Sequence, residues 1–241
     1  MRINRDKLVK IAVNGQVDHP RMKGFRVGYD GKGRMPIGTG GITYSHAIGD
    51  SCMGLAGDHV EPGISLANPS NPENHALETF ACVGNEARII NGPQKGKKGY
   101  VSGTHGGIDH TMICFDKKIL EEMDGNETIL VKAYGQGLKL LDHEDIYVMN
   151  IDPVLWEAIP IEETENGITF PVVTIVPAFL MGSGLGSNPM MEGDYDIMTQ
   201  DQEANETYGL NNLRFGDFVA ILDHDNEYGP HYLKGSISVG V

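Results

Sequence analysis

The sequence predicts a mainly β protein, sandwich- or barrel-like, with a few short helices. Three observations predict it. Runs of β-branched and aromatic residues recur along the chain, each bounded by Gly, Asp or Asn. The 32 glycines and 12 prolines are spread out, which implies frequent turns and not one linker. Helix signals are short and scattered, with no alternating βα pattern. A chain of 241 residues buries roughly 70–75% of the surface that its unfolded form exposes, so its core needs no staple.

Three helices are expected. Asp116 precedes KKILEEM, which Gly125 closes; Asp152 and Pro153 open VLWEAI, a cap followed by a proline at the first helical position; DQEANETY begins at Asp201 and stops at Gly209. Each spans two or three turns, too little to form a core alone. Trp156 reads as a core anchor. Strands are expected at TILVKAY, ITFPVVTIVPAFLM, GDFVAILD and GSISVGV. Gly-Asp pairs at 49–50, 57–58, 193–194 and 216–217 read as turns feeding the following strand. Pro171 and Pro177 place VVTIV at strand ends or a sheet edge, because proline donates nothing to a ladder. Composition shifts near residue 150, from glycine-rich turns carrying most histidines to longer apolar runs. This divides the chain into an N-terminal region 1–150 and a C-terminal region 151–241, which one continuous fold can also hold.

The formal net charge is −14. Nucleic-acid binding requires a basic surface that displaces counterions from phosphate, and this field has the opposite sign. An anionic membrane surface is disfavoured for the same reason. Cys52, Cys82 and Cys114 are odd in number and lack CxxC spacing, which argues against a disulfide framework or a thiolate zinc site. The opening MRINRDKLVKIAVNG has no apolar leader core, and a reducing cytoplasm fits best.

Two glycine-rich stretches concentrate imidazoles and carboxylates. GTGGITYSHAIGDSCMGLAGDHVEPGISL carries His46, Asp50, Asp58, His59 and Glu61; SGTHGGIDHTM carries His105, Asp109 and His110. Nitrogen and oxygen donors are what a zinc-like divalent ion takes where thiolates are absent. His46, His59, His105, Asp109 and His110 are therefore the candidate metal ligands, and Glu61 the candidate general base. No compact ligand motif such as HExxH is present. Asp-His also recurs at 18–19, 58–59, 109–110, 142–143 and 223–224, and most of these pairs read as turn carboxylates beside a solvated imidazole. GSGLGS at 182–187 follows a strand but lacks phosphate-loop spacing, so tight-turn glycine is its plain reading. Asp194 and Asp196 just beyond it are further oxygen donors. DHDNEYGPHY, with Asp223, His224, Asp225 and His231, reads as an exposed acidic loop. A Cys52/His46 nucleophile pair is weaker than the reading of Cys52 as an inert, buried thiol.

DHVEPGISL, FACVGNEARIINGPQKGKKGYVSGTHGGIDH, KAYGQGLKLL, VPAFLMGSGLGS, GDYDI and LRFGDFVAI together resemble the prokaryotic family called domain of unknown function 4438, over nearly the whole chain. That resemblance implies a mainly β protein and transfers no catalytic residue. Members continue past ISVGV into another segment rich in His and Gly, so a C-terminal companion segment is an expected partner. VEPG and HGGIDHT are also similar to segments of the acetamidase/formamidase family, metal-dependent amidases with a β-sandwich core. That likeness implies an active-site place for Gly106, Gly107 and Asp109, although the family's later GDGE segment has no equivalent here.

These signals leave open whether the chain is an enzyme. The leading expectation is a metal-dependent hydrolase of a small amide or related C–N bond, with water activated on the ion. The others are a non-enzymatic subunit that binds a small molecule or assembles, with a homo-oligomer expected, and the N-terminal product of a processed precursor.

Overall fold

The computed structural model describes residues 1–21, 24–28, 30–34, 39–57, 59–165, 167–182 and 193–241. Strands β1 (Lys10–Val17), β2 (Arg26–Val27), β3 (Gly33–Arg34), β4 (Ile42–Thr43) and β5 (Gly63–Ala67) precede helix α1 (Asn71–Phe80). Next come β6 (Glu86–Ile89), β7 (Lys98–His105), β8 (His110–Cys114), α2 (Lys117–Leu120) and β9 (Thr128–Tyr134). After α3 (Pro153–Ala158) follow β10 (Glu162–Thr164), β11 (Gly167–Thr169), β12 (Thr174–Val176), α4 (Gln202–Thr207), β13 (Val219–Asp225) and β14 (His231–Gly240).

The mainly β expectation holds, and its form is a barrel. Six antiparallel strands run in the order β1-β9-β6-β7-β8-β5, and β5 returns to β1 to close the circle. Alternation fills the interior: Ile129, Val131 and Ala133 of β9 are buried, as are Ile64 and Leu66 of β5, Ala87 and Ile89 of β6, Val101 of β7 and Ile113 of β8. Each such aliphatic side chain contributes about 1.5–3 kcal/mol by leaving water. Closure itself is slender, since β1 and β5 share only the pairs Gln16↔Ala67 and Val17↔Leu66.

Helix α1, the longest among the described residues, was not expected from the sequence. Its start was nonetheless written there, with Ser70 at the N-cap position and proline in the first turn. Leu77 carries it onto the barrel beside Gly15, where a Cβ would stand 2.7 Å from Cδ2 of that leucine. The other three helices lie where predicted. Asp152 accepts from Val154 N to cap α3, and Asp201 accepts from Glu203 N and Ala204 N to cap α4. Asp116 stands before α2 but makes no cap bond, and that helix is a single turn.

Trp156 anchors a cluster with Leu138, Leu140 and Ile151. Beyond it, the run ITFPVVTIVPAFLM breaks into β11, β12 and a 3-10 turn, Ala178–Leu180. β12 is an edge strand, as its flanking prolines require, and pairs parallel to β13 in a three-stranded sheet β12-β13-β14. This sheet, α4 and the residues near 210 enclose a second core of Val176, Leu180, Leu210, Leu213, Val219 and Ile221. The loop before β5 ties both regions together: Gly49 N donates to Phe215 O at 2.8 Å and Cys52 N to Leu213 O at 3.2 Å. No helix of the described residues is long and apolar enough to cross a membrane.

Candidate functional site beside the barrel join

The stagger of β8, β5 and β1, which sets Thr111, Leu66 and Val17 side by side, lets four chain positions meet beside the join of β1 and β5. Asp18 follows β1, Glu61 precedes β5, His105 ends β7 and His110 begins β8, directly opposite His105 in the ladder. Gly63 makes the approach of Glu61 feasible. Its φ is 84°, and a Cβ there would fall 2.3 Å from the Ile113 carbonyl oxygen.

Glu61 is 2% exposed. Burial alone would push its carboxyl up, yet four donors hold it well below the usual carboxylate range. His105 Nδ1 donates to Oε1, Ser65 Oγ donates to Oε2 at 2.5 Å, and Gly40 N donates to Oε2 at 2.7 Å. His110 Nδ1 lies 3.0 Å from both oxygens. The second nitrogen of His110, Nε2, meets Asp18 Oδ2 at 3.1 Å. Carboxylates only accept, so a ring bracketed by two of them carries both protons. Burial opposes that charge, but the bonds to Glu61 and Asp18 outweigh it and raise the His110 pKa.

The same rule fixes the tautomer of His105. Its Nδ1 carries the proton and donates a hydrogen bond to Glu61, and Nε2 has no hydrogen-bond partner among the described residues. Outward of this ring stand groups from two other segments. His59 stacks on it at a centroid distance of 5.4 Å and an interplanar angle of 15°. Asp196 Oδ1 lies 4.0 Å from His59 Nε2. Asp194 accepts from the Gly106 backbone; burial, then the neighbouring Asp196, raises its pKa.

Of the sequence-derived candidates, the fold brings His59, Glu61, His105 and His110 together. Asp109 sits at the hairpin tip with φ 63°, its backbone carbonyl accepting from Asn74 Nδ2 at 2.8 Å. His46 is bonded to Ser45 Oγ at 2.7 Å and lies edge-on to Phe215, with no hydrogen bond to the Glu61 group among the described residues. Asp18 and Ser65 were not singled out as site residues, and for Asp18 the only signal was one Asp-His pair among five. Asp58 and residues 183–192, which hold most of the GSGLGS loop, lie outside the described residues. Cys52 is partly buried and its thiol is pushed up by burial, which leaves it a poor nucleophile. The acidic loop reading of 223–232 gives way to the β13/β14 hairpin, in which His224 is buried. Among the described residues, no three His, Cys, Asp or Glu side chains surround one point as ligands of an ion do. A cavity of about 330 Å³, lined by Val173, Gly209, Asn212, Leu213, Arg214 and Asp217, contains none of these groups.

Fold and cluster together define a closed six-stranded antiparallel β-barrel that carries a buried carboxylate–imidazole cluster beside the join of β1 and β5. The chain belongs to the family described as domain of unknown function (DUF4438): the N-terminal model matches residues 25–157 and the C-terminal model 158–241. It is similar to the solved structure titled "Crystal structure of TM1086", with 45% identity and a TM-score of 0.94, covering 100% of this chain and 85% of that one. No curated protein matches it. None of these comparisons supports the resemblance to the acetamidase/formamidase family.

Proposed function

We propose that the chain is a metal-dependent hydrolase of a small polar molecule, with its reacting centre on the outward side of His105. One observation carries this reading: a buried, ionised carboxylate accepts the Nδ1–H hydrogen bond of His105 and so leaves the Nε2 lone pair available. Imidazoles that bind catalytic metals are held in this way by a carboxylate behind them. His59, Asp194 and Asp196 stand nearby and, drawn closer than they lie here, would make with His105 a donor set of two nitrogens and two carboxylates, which suits a zinc-like ion. Such an ion lowers the pKa of bound water toward neutrality and so supplies a nucleophile.

This reading changes the duty of two residues. Glu61, with both oxygens engaged and its charge strongly favoured, orients His105 and does not take protons at neutral pH. His110 locks Glu61 in place and is not a ligand. With Asp194 and Asp196 at its mouth, the site favours neutral or cationic substrates over polyanions.

The test is titration calorimetry with zinc or manganese alone, followed by screening of the loaded protein against small ester, amide and amidine substrates. One ion per chain is expected in the wild type, with affinity falling at least 100-fold in His105→Ala and in Asp196→Asn. Wild-type protein that binds neither ion, or His105→Ala that binds as tightly as wild type, would refute it.

A further inference from the structure

Two surfaces stay bare in a single copy of this chain, and they suit one another. The first is the hairpin of β2 and β3. Its register sets Val27 opposite Gly33 and Arg26 opposite Arg34. Phe25 falls on the Val27 side by alternation, so one face of the hairpin is apolar and the other cationic. Phe25 is 72% exposed and Val27 75%. A two-stranded hairpin is marginal in water without a further element against its apolar face. Two guanidiniums set directly opposite one another also repel, and Asp30, the only acid of residues 21–34, is taken up by Arg34 at 2.9 Å.

The second is the outer face of the sheet β12-β13-β14. Ile175, Ala220 and Val239 lie in one row across it, and Leu222 and Ile237 in the next. Their neighbours Val176 and Ile221 point the other way, into the second core. Pairing is regular over these rows; the bulge that shifts the register, beyond which His224 is buried, comes only after Leu222. A sheet with one solvated face ordinarily places polar residues on it. Here that face is aliphatic: Ile175 is 51% exposed, Ile237 64% and Val239 43%. A contiguous apolar patch rimmed by charge marks a surface that another molecule covers.

Charge distribution points to the occupant. Residues 21–34 hold five of the 19 Lys and Arg, against Asp30 alone, while residues 140–241 hold 18 of the 33 Asp and Glu, against only Arg214 and Lys234. We propose that the β2/β3 hairpin of one copy docks, by the face of Phe25 and Val27, on the outer face of the β12-β13-β14 sheet of a second copy. Opposite charge steers the cationic hairpin to the acidic half of its partner, and the two apolar faces supply the affinity. The hairpin does not cover the sheet of its own chain, since both remain exposed there. Exchange is reciprocal. A two-fold axis lets each copy give its hairpin and receive its neighbour's, which closes the assembly at two, whereas a one-way contact would run on into a filament. This pairing is independent of the ion reading above.

The experiment measures native mass by sedimentation equilibrium for wild type, Val27→Asp, Ile237→Asp and an equal mixture of the two variants, with melting temperature as the control for folding. Both side chains are exposed, so each variant should melt close to wild type. Wild type is expected to be a dimer at micromolar concentration, and each variant alone to dissociate at least about 100-fold more readily. The mixture should recover a dimer weaker than wild type, because the intact hairpin of Ile237→Asp still meets the intact sheet of Val27→Asp. Arg26→Glu, which leaves both apolar faces whole, should pair about 10-fold more weakly at low salt, with the difference shrinking at high salt. Should either aspartate variant melt lower than wild type, Arg26→Glu decides. A monomeric wild type, a variant that pairs as tightly as wild type, or a mixture that stays monomeric would overturn the proposal.

Discussion

Removing the His110 ring leaves Glu61 and Asp18 facing one another across a buried gap. Breaking a buried ion pair from one side costs about 3–5 kcal/mol, because the remaining charge is stranded. His110→Gln is therefore expected to lose about 3 kcal/mol in urea unfolding at neutral pH. Its pH dependence has a definite sign. The folded pKa of His110 lies above its ordinary value of 6.5, so its contribution is whole below that pH and is lost as pH rises through the folded value. Glu61 works the other way: its folded pKa lies below the ordinary 4.5, and its contribution is lost only on strong acidification. The gap in stability between wild type and His110→Gln should thus narrow as pH rises above 6.5 and through the raised folded pKa of His110. A gap of constant size would mean that the ring is not charged. Asp109 offers a contrast. Its left-handed backbone suits glycine, so Asp109→Gly should change stability by less than about 0.5 kcal/mol, whereas the β-branched Asp109→Val should cost about 2 kcal/mol. Zinc affinity unchanged in Asp109→Gly would separate this residue from the ligand role that its sequence neighbourhood suggested.

At the level of elements, Gly63 governs how β5 delivers Glu61. Gly63→Ala forces a Cβ against the Ile113 carbonyl at 2.3 Å, in backbone that L side chains avoid. A loss above about 3 kcal/mol is expected, with the β5/β8 pairing disturbed and both imidazoles freed from their carboxylate. Thermal melting and the NMR signals of His105 and His110 would register both effects. The strands were readable where local preference and tertiary demand agree: TILVKAY is β9 residue for residue. They were less readable where prolines cut the ITFPVVTIVPAFLM run, since apolar content survives while the ladder cannot. Convergence of Glu61 with His105 and His110 was legible as two glycine-rich stretches of the right chemistry. Asp18 and Ser65 were not, because their place depends on which strands become neighbours when the barrel closes, and no local pattern encodes that. His224 misled for a similar reason. Its surroundings are polar in sequence, and only the bulge turns it inward.

Taken whole, the molecule couples a barrel to a smaller sheet through the loop at 49–52, and the outward donors come from both sides of that junction. The two-pair closure between β1 and β5 has its own consequence. A cylinder whose other five ladders carry three to seven residue pairs, and whose closing join carries two, unzips first at that join, much as a stave barrel leaks at its weakest joint. Asp18 hangs one residue beyond that seam, donating through its backbone to Ser65 O at 2.9 Å, so brief openings there would unclasp His110 from its outer carboxylate. Amide exchange should report this as faster deuterium uptake at Asp18, whose amide bonds across the join, than at Val131 in mid-strand β9. Equal rates at the two amides would mean that the cylinder opens only when the entire protein does.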